Sequence, residues 1–197
     1  PPAAKPASAQ ARTLPKATTP DGMAMPRSRD KPWLKSYPPG MPTRIPELAD
    51  SSLGDLLTKA CRRYAGREAF SCMGKSITFA ELDRASAAFA AFLQSRGLKK
   101  GARVAIMMPN VLQYPVTMMA VLRAGFTVVN VNPLYTPREL EHQLKDSGAE
   151  AIVILENFAT TLQATSGTAV KHVVVAAMGD MLGLMKGTLV NFVVRRV

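Results

Sequence analysis

A short polar loop in the middle of the chain carries the residues best placed to bind an anion. Its sequence is Asn132-Pro133-Leu134-Tyr135, and Arg138 follows three residues later. The loop comes directly after an apolar run that predicts a β-strand, and Arg138 falls at the start of the next predicted helix. Ligands of open α/β sheets bind at the carboxyl ends of the strands. These five residues are therefore a candidate binding loop, with Arg138 available for phosphate charge.

The same loop also has a purely structural interpretation. Asn132 can act as a cap, Pro133 can form a turn, and the ring of Tyr135 can pack into the core. The residue types alone leave both interpretations open.

Motifs that complete a catalytic site on their own are absent from the sequence. It contains no GxSxG, HExxH, GxGxxG or GxxxxGK[ST] pattern, the patterns typical of hydrolases, zinc proteases, dinucleotide-binding folds and phosphate loops. The nearest approach to a phosphate-binding run is 164–168, but it lacks a flanking lysine and sufficient glycine, and we interpret it as a loop. We therefore assign no catalytic residue and no metal ligand from the sequence.

Charge and cysteine content narrow the possible partners. The net charge of +11 could indicate a nucleic acid, an anionic membrane or anionic small molecules. Residues 1–46 carry 8 of the 25 basic residues and only 2 of the 14 acidic ones, so the remainder is only moderately basic. Since aromatic residues are not interleaved with the basic ones, we expect no nucleic-acid binding. Two isolated cysteines predict neither a disulfide framework nor a zinc site, and they fit a reducing compartment such as the cytoplasm.

The first 46 residues differ in composition from the rest. They hold 11 of the 15 prolines, which lack a backbone donor and disfavour helices and central strands. We predict that 1–30 is disordered, that 31–46 is an extended lead-in, and that 47–197 forms a folded domain. No apolar run typical of a signal peptide occurs in residues 1–46.

The remainder alternates between strand and helix patterns. A hairpin is predicted around Gly74-Lys75, and capping boxes at Thr78 and Thr136 predict two helix starts. Four apolar runs predict strands: Val104–Met108, Thr127–Val131, Ala151–Leu155 and His172–Ala176. Strands separated by helices predict a parallel sheet covered by helices, and continuous apolar runs predict that both faces of each strand are buried.

The last predicted helix, Met181–Val197, is apolar but carries Arg195 and Arg196. It could pack against further protein or lie on a membrane with both arginines at the head groups. Because the chain stops within this helix after only four strands, we expect an incomplete domain.

Three stretches resemble the adenylate-forming (AMP-binding) superfamily. They are Ser76–Leu82 (SITFAEL), Leu98–Ala105 (LKKGARVA) and Val129–Leu144 (VNVNPLYTPRELEHQL). The third, together with Lys186–Val194 (KGTLVNFVV), resembles the bacterial long-chain fatty-acid–CoA ligases in particular. The resemblance implies that 47–197 is the first part of the large N-terminal domain of such an enzyme.

The resemblance also implies a reaction and its cofactors. A long-chain fatty acid and ATP form an acyl-adenylate, with Mg²⁺ stabilising the phosphates, and CoA then displaces AMP. In relatives that activate acetate, the loop equivalent to Asn132–Tyr135 borders the CoA nucleotide. Arg138 follows this loop at the start of the next predicted helix. The phosphate loop, adenine motif and catalytic lysine of the family have no counterpart here, so we expect the chain to be inactive alone.

Two further expectations concern role and location. The alternative to a ligase fragment is a non-catalytic module that binds an acyl chain, CoA or a membrane. The resemblance implies a cytoplasmic protein that makes peripheral contact with the inner face of the cell membrane. Oligomeric state and chain-length preference do not follow from the sequence.

Overall fold

The computed structural model describes residues 31–44, 50 and 52–196. The chain divides into two compact units, Pro1–Glu47 and Leu48–Val197. In the first unit, Pro32–Ser36 forms a short 3₁₀-helix with no buried residue. The disorder predicted for 1–30 lies outside the described residues.

The second unit contains the alternating elements that the sequence predicts. Its helices are α1 (Leu53–Arg63), α2 (Phe79–Ser95), α3 (Gln113–Arg123), α4 (Pro137–Ser147), α5 (Ala159–Gln163) and α6 (Leu184–Val194). Its strands are β1 (Glu68–Cys72), β2 (Lys75–Thr78), β3 (Arg103–Met107), β4 (Thr127–Asn130), β5 (Ala151–Leu155) and β6 (His172–Ala176).

Capping boxes begin α2 and α4, as predicted. In α4, Thr136 Oγ1 accepts from the Glu139 N–H while the Glu139 carboxylate accepts from the Thr136 N–H at 2.9 Å. Thr78 and Glu81 repeat the arrangement in α2. These reciprocal bonds satisfy N–H groups that a helix start leaves without partners. Gly148 ends α4 with a left-handed φ of 61°, a conformation that glycine adopts without steric cost.

Four strands form one parallel sheet in the order β4-β3-β5-β6. The central strand β3 pairs Ala105 with Val129 on one side and with Ile152 on the other. Helices cover the sheet, which confirms the predicted α/β fold class. Strands β1 and β2 form a separate antiparallel hairpin.

The prediction that both faces of each strand are buried is confirmed for the inner strands β3 and β5. It is wrong for the outer strands β4 and β6. All five residues of β5 are buried, whereas β4 and β6 are only partly covered. Val173 and Val175 on β6 are 52% and 54% exposed. On β6 the exposed residues alternate with Val174 and Ala176, which pack against the core, so one face of this strand lies uncovered. An apolar run does not reveal which faces of a sheet the helices cover.

The core lies on both faces of the sheet. On one face, Val104, Ile106 and Val153 pack with residues that include Leu93 of α2 and Val121 of α3. On the other face, Ile152 and its neighbours Ala105, Met107 and Ile154 pack with Leu140 and Leu144 of α4. The core therefore holds α4, and with it the end of the candidate loop, against the sheet.

The hairpin turn differs in detail from the prediction. The turn falls at Met73-Gly74, where both residues have positive φ, and not at Gly74-Lys75. On α2, Phe92 is 38% exposed, while Ser86 is fully buried. Ser86 is buried because its hydroxyl accepts from Arg123 on α3 at 2.9 Å, a contact that periodicity does not reveal.

Candidate functional site

The end of β4 is held by two helices at the carboxyl edge of the sheet. The Asn130 side-chain oxygen accepts from the Tyr114 hydroxyl of α3 at 2.8 Å, and its backbone oxygen accepts from Gln143 Nε2 of α4 at 2.9 Å. The remaining amide oxygen of Gln143 is buried without a partner among the described residues. These bonds fix the point at which the candidate loop leaves the sheet.

The candidate loop folds back on itself. Asn132 Oδ1 accepts from the Leu134 N–H at 3.0 Å, and the Asn132 carbonyl accepts from the Tyr135 N–H at 3.1 Å. Pro133 lies within this turn, and Tyr135 packs against the core cluster that contains Leu140. The structural roles foreseen for Pro133 and Tyr135 are therefore present. Asn132, however, forms hydrogen bonds within the loop and does not cap the helix. Thr136 is the residue that caps α4.

Arg138 lies on the exposed start of α4 beside an open groove of about 680 Å³. Arg138 supplies the positive charge of this groove, while Glu139 and Asp146 supply negative charge. The groove runs along α4 and is lined by Tyr135, Thr136, Arg138, Glu139, His142, Gln143 and Asp146. An anion bound here would therefore rely on Arg138 and on the amino end of α4.

The start of α4 should respond to acid through Glu139. The bond from the Thr136 N–H lowers the pKa of Glu139 below its usual value of 4.5. A depressed folded-state pKa gives a stabilisation that is complete above the usual value and is lost as the pH falls through the folded-state pKa. We expect Glu139→Gln to lower the Tm at neutral pH. The difference in Tm between the variant and the wild type should shrink below pH 4.5. Thermal melts of both proteins across this range measure it; a gap independent of pH would contradict the assignment.

Strand order places the switch point of the sheet one strand away from the candidate loop. The chain leaves β3 toward β4 on one side and leaves β5 toward β6 on the other. Crevices in open α/β sheets form where neighbouring connections diverge in this way. The residues at this point are Asn110 after β3 and Glu156 after β5. Sequence reasoning missed both, because strand order is not readable from the alternation of elements.

Glu156 is held in place from α6. One carboxylate oxygen accepts from Arg195 at 3.0 Å, and the other is buried without a partner among the described residues. At the end of β6, the Gln113 amide of α3 donates to the carbonyl of Ala177 at 2.7 Å. The carboxyl ends of β5 and β6 are thus tied to α6 and α3.

An apolar cleft of about 290 Å³ lies beside the carboxyl end of β3. It is formed by the hairpin and the start of α3, and its lining includes Phe70, Cys72, Asn110, Tyr114 and Met118. The nearby Met107, Met108 and Met119 are buried, whereas Met118 lines the cleft. Cys61 is buried at 2% exposure, and this burial raises the pKa of its thiol.

Neither a metal-binding cluster nor a membrane-spanning helix occurs in the described part of the chain. No group of three His, Cys, Asp or Glu side chains there is arranged to hold a metal ion. We therefore derive no step through Mg²⁺ from these residues. None of the helices described combines the length and apolar character required to cross a bilayer.

The fold is that of an open parallel α/β domain with a groove along α4 and an apolar cleft beside the carboxyl end of β3. The family model of AMP-binding enzymes matches residues 57–191, which is most of the second unit. The chain therefore belongs to the AMP-binding enzyme family.

Comparison with curated proteins narrows the similarity within that family. The chain is 57% identical over 169 residues to a long-chain-fatty-acid–CoA ligase of Escherichia coli O157:H7, a match covering 85% of this chain and 30% of that protein. It is 38% identical over 160 residues to the ligase of the same name from Bacillus subtilis strain 168, covering 81% and 28%. The chain thus spans about 30% of the length of these relatives.

Solved structures agree with the fold. A long-chain-fatty-acid-CoA ligase from Archaeoglobus fulgidus superposes with a TM-score of 0.60 at 27% identity, covering 72% of this chain and 29% of that one. A benzoate CoA ligase from Burkholderia xenovorans LB400 gives a TM-score of 0.60 at 24% identity, covering 71% and 28%. At that identity, the second match supports the fold alone.

Proposed function

We propose that this chain provides the first part of the large domain of a long-chain fatty-acid–CoA ligase. The carrying observation is the 57% identity over 169 residues to a ligase of that name. The proposed reaction converts a fatty acid, ATP and CoA to acyl-CoA, AMP and diphosphate. ATP, CoA and Mg²⁺ are then the cofactors of the whole enzyme.

We further propose that the 197-residue chain does not adenylate a fatty acid alone. Stabilising the charge that develops on a reacting phosphate requires several positioned donors and a metal ion. The sequence offers no glycine-rich phosphate loop to supply them. Activity should therefore require the segments that the longer relatives possess.

A chimera tests both proposals. The 169-residue segment of the Escherichia coli O157:H7 ligase is replaced by the matching segment of this chain, and AMP release is measured with palmitate, ATP and CoA. We expect a rate within about tenfold of the parent enzyme, since ligand-contacting groups elsewhere are unchanged. The 197-residue chain alone should release AMP at the background rate. A folded but inactive chimera would contradict the family role, and AMP release by the chain alone would contradict its inactivity.

The loop Asn132–Tyr135 with Arg138 is proposed as the side of the site that borders CoA. Support comes from its position at the carboxyl edge of β4 and from the exposed guanidinium of Arg138 at the groove. In the chimera, we expect Arg138→Ala to raise the KM for CoA by about threefold to tenfold, because one charge-assisted contact to a phosphate is lost. The KM values for ATP and palmitate should not change.

Arg62→Ala is the matched control for this prediction. Arg62 is an exposed arginine on the last turn of α1, and it does not line the groove of Arg138. An unchanged KM for CoA in Arg138→Ala, or equal increases in the two variants, would remove the loop from the CoA site.

A second candidate function is a non-catalytic module that binds an acyl chain or CoA. The observation that favours it is the apolar cleft bounded by Phe70, Tyr114 and Met118, which needs no triphosphate site to accept an acyl chain. Calorimetric binding of palmitoyl-CoA to the 197-residue chain, together with an inactive chimera, would favour this role over the ligase.

We propose a cytoplasmic location, with peripheral contact at the inner face of the membrane. The two free cysteines, Cys61 and Cys72, fit a reducing compartment. The membrane contact is supported by the exposed apolar side of α6.

A further inference from the structure

The end of β4 is held from both faces of the sheet. Tyr114 on α3 packs against the core cluster on one face, and Gln143 lies on α4, whose Leu140 packs onto the other face. Both side chains bond to Asn130, the last residue of β4. The Tyr114 hydroxyl donates to its side-chain oxygen at 2.8 Å, and Gln143 Nε2 donates to its carbonyl at 2.9 Å. Tyr114, Asn130 and Gln143 therefore form one hydrogen-bonded group, the β4 clamp, that joins α3 to α4.

The direction of the Gln143 bond is set by the backbone of β4. The Val131 N–H donates to the carbonyl of Ile106 on β3 at 3.0 Å. In a trans peptide the N–H and the preceding carbonyl point in opposite directions, so the Asn130 carbonyl points away from β3. It needs a donor there, which only the Nε2 end of the amide supplies. The buried Oε1 is left without a partner among the described residues. Since such a loss costs stability, the retained amide indicates that holding Asn130 matters.

The β4 clamp sets where the candidate loop begins. Val131 alone separates Asn130 from Asn132, so a displacement of Asn130 is passed directly to the loop. The bonds of Asn132 to the Leu134 and Tyr135 N–H groups shape the turn, but they do not tie it to the sheet. The tie to the sheet is made by the β4 clamp at one end of the loop and by α4 at the other.

We propose that Tyr114 and Gln143 are positioning residues for CoA: by holding Asn130, they place the candidate loop where it meets the coenzyme. These roles rest on the proposed function of Asn132–Tyr135 as the CoA side of the site, and they fall on two residues outside that loop. Both residues act through Asn130, since the polar atoms that they would offer a ligand are already bonded to it or buried.

Two conservative substitutions in the chimera test the β4 clamp. Tyr114→Phe removes the hydroxyl, and Gln143→Met removes the amide while keeping the length of the side chain. We expect each to raise the KM for CoA by about twofold to tenfold, because one hydrogen bond that fixes the loop is lost. Diphosphate release from palmitate and ATP without CoA should stay within about twofold of the rate of the unsubstituted chimera. A role in stability alone would slow both.

Hydrogen exchange of the 197-residue chain reports on the loop without any enzyme activity. The N–H groups of Val131, Leu134 and Tyr135 are all hydrogen-bonded, so their exchange measures how often this segment opens. In Tyr114→Phe and in Gln143→Met, we expect these amides to exchange about twofold to tenfold faster than in the wild type.

Tyr64→Phe and Gln94→Met are the matched controls. The Tyr64 hydroxyl has no hydrogen-bond partner in the part of the chain that the structure describes. Gln94, on the last turn of α2, donates to the carbonyl of Ala124 at 3.5 Å. Neither residue lines the groove of Arg138. Both control variants should keep the KM for CoA and the exchange rates of the loop.

The two measurements separate this inference from the ligase role. An inactive unsubstituted chimera would contradict the ligase role and the link to CoA with it, whereas faster exchange would still support the hold on the loop. Exchange at wild-type rates in both clamp variants would overturn that hold. In an active chimera, an unchanged KM for CoA, or equal losses in CoA use and diphosphate release, would overturn the assignment of Tyr114 and Gln143 to CoA.

Discussion

Replacing Leu140 by alanine should lower the free energy of unfolding by about 2–5 kcal/mol. Leu140 is completely buried and packs from α4 onto the sheet, among residues that include Ile152. Alanine removes three carbon atoms from this cluster, and surrounding groups held by β5 and α4 can fill the space only in part. The same substitution at Leu134, six residues earlier, should change the stability by less than about 0.5 kcal/mol because Leu134 is 83% exposed.

The two leucine variants compare the same substitution at a buried and at an exposed position. Both remove the same atoms, and alanine is a good helix former at position 140, so a larger loss at Leu140 reports its burial. Chemical denaturation of the two variants and of the wild type measures it, with slopes checked for a common two-state transition. Similar losses in the two variants would mean that α4 does not pack onto the sheet as described.

Replacing Gly179 by alanine should displace α6 from the loop that follows β6. A Cβ at Gly179 would lie 2.8 Å from the Cα of Gly187 and 2.7 Å from Asn191 Oδ1, and it would also meet the Gly187 carbonyl. Most of these atoms belong to helix backbone, so α6 itself must move. The displacement also weakens the 2.6 Å bond from the Gly179 N–H to Asn191. We expect a loss of about 1–3 kcal/mol of stability and faster tryptic cleavage after Lys186 and Arg195.

Gly66→Ala is the matched control for Gly179→Ala. Neither glycine has a positive φ, and no atom lies within 4 Å of a Cβ placed at Gly66. This variant should keep the stability and the cleavage rate of the wild type. If Gly179→Ala also behaved as wild type, the close approach of Gly179 and Gly187 would not exist in solution.

Local patterns predicted most elements of the second unit. Thr78 and Thr136, each followed by glutamate three residues later, predicted two helix starts that the structure confirms. The run His172–Ala176 was predicted as a strand and forms β6 with the same bounds. These features depend on interactions between residues close in the chain, so their signals lie within a few positions of one another.

The candidate site was only partly accessible from the sequence. The sequence indicated the loop at Asn132 and the charge of Arg138, because both follow a strand-like run. It did not indicate the cleft between the hairpin and α3, to which Phe70 and Tyr114 contribute from elements far apart in the chain. Nor did it indicate the ion pair between Arg195 and Glu156, whose partners are 39 positions apart.

The sequence by itself determined the alternation of strands and helices, their caps and the family to which the chain belongs. Tertiary structure alone decided that β3 and β5 are neighbours, that β4 and β6 flank them, and that Asn110 and Glu156 stand where the connections diverge. It also decided which side of α6 remains uncovered. The physical reason is that capping and periodicity are local, whereas strand order and burial arise from contacts between segments whose separation in the chain carries no signal of their meeting.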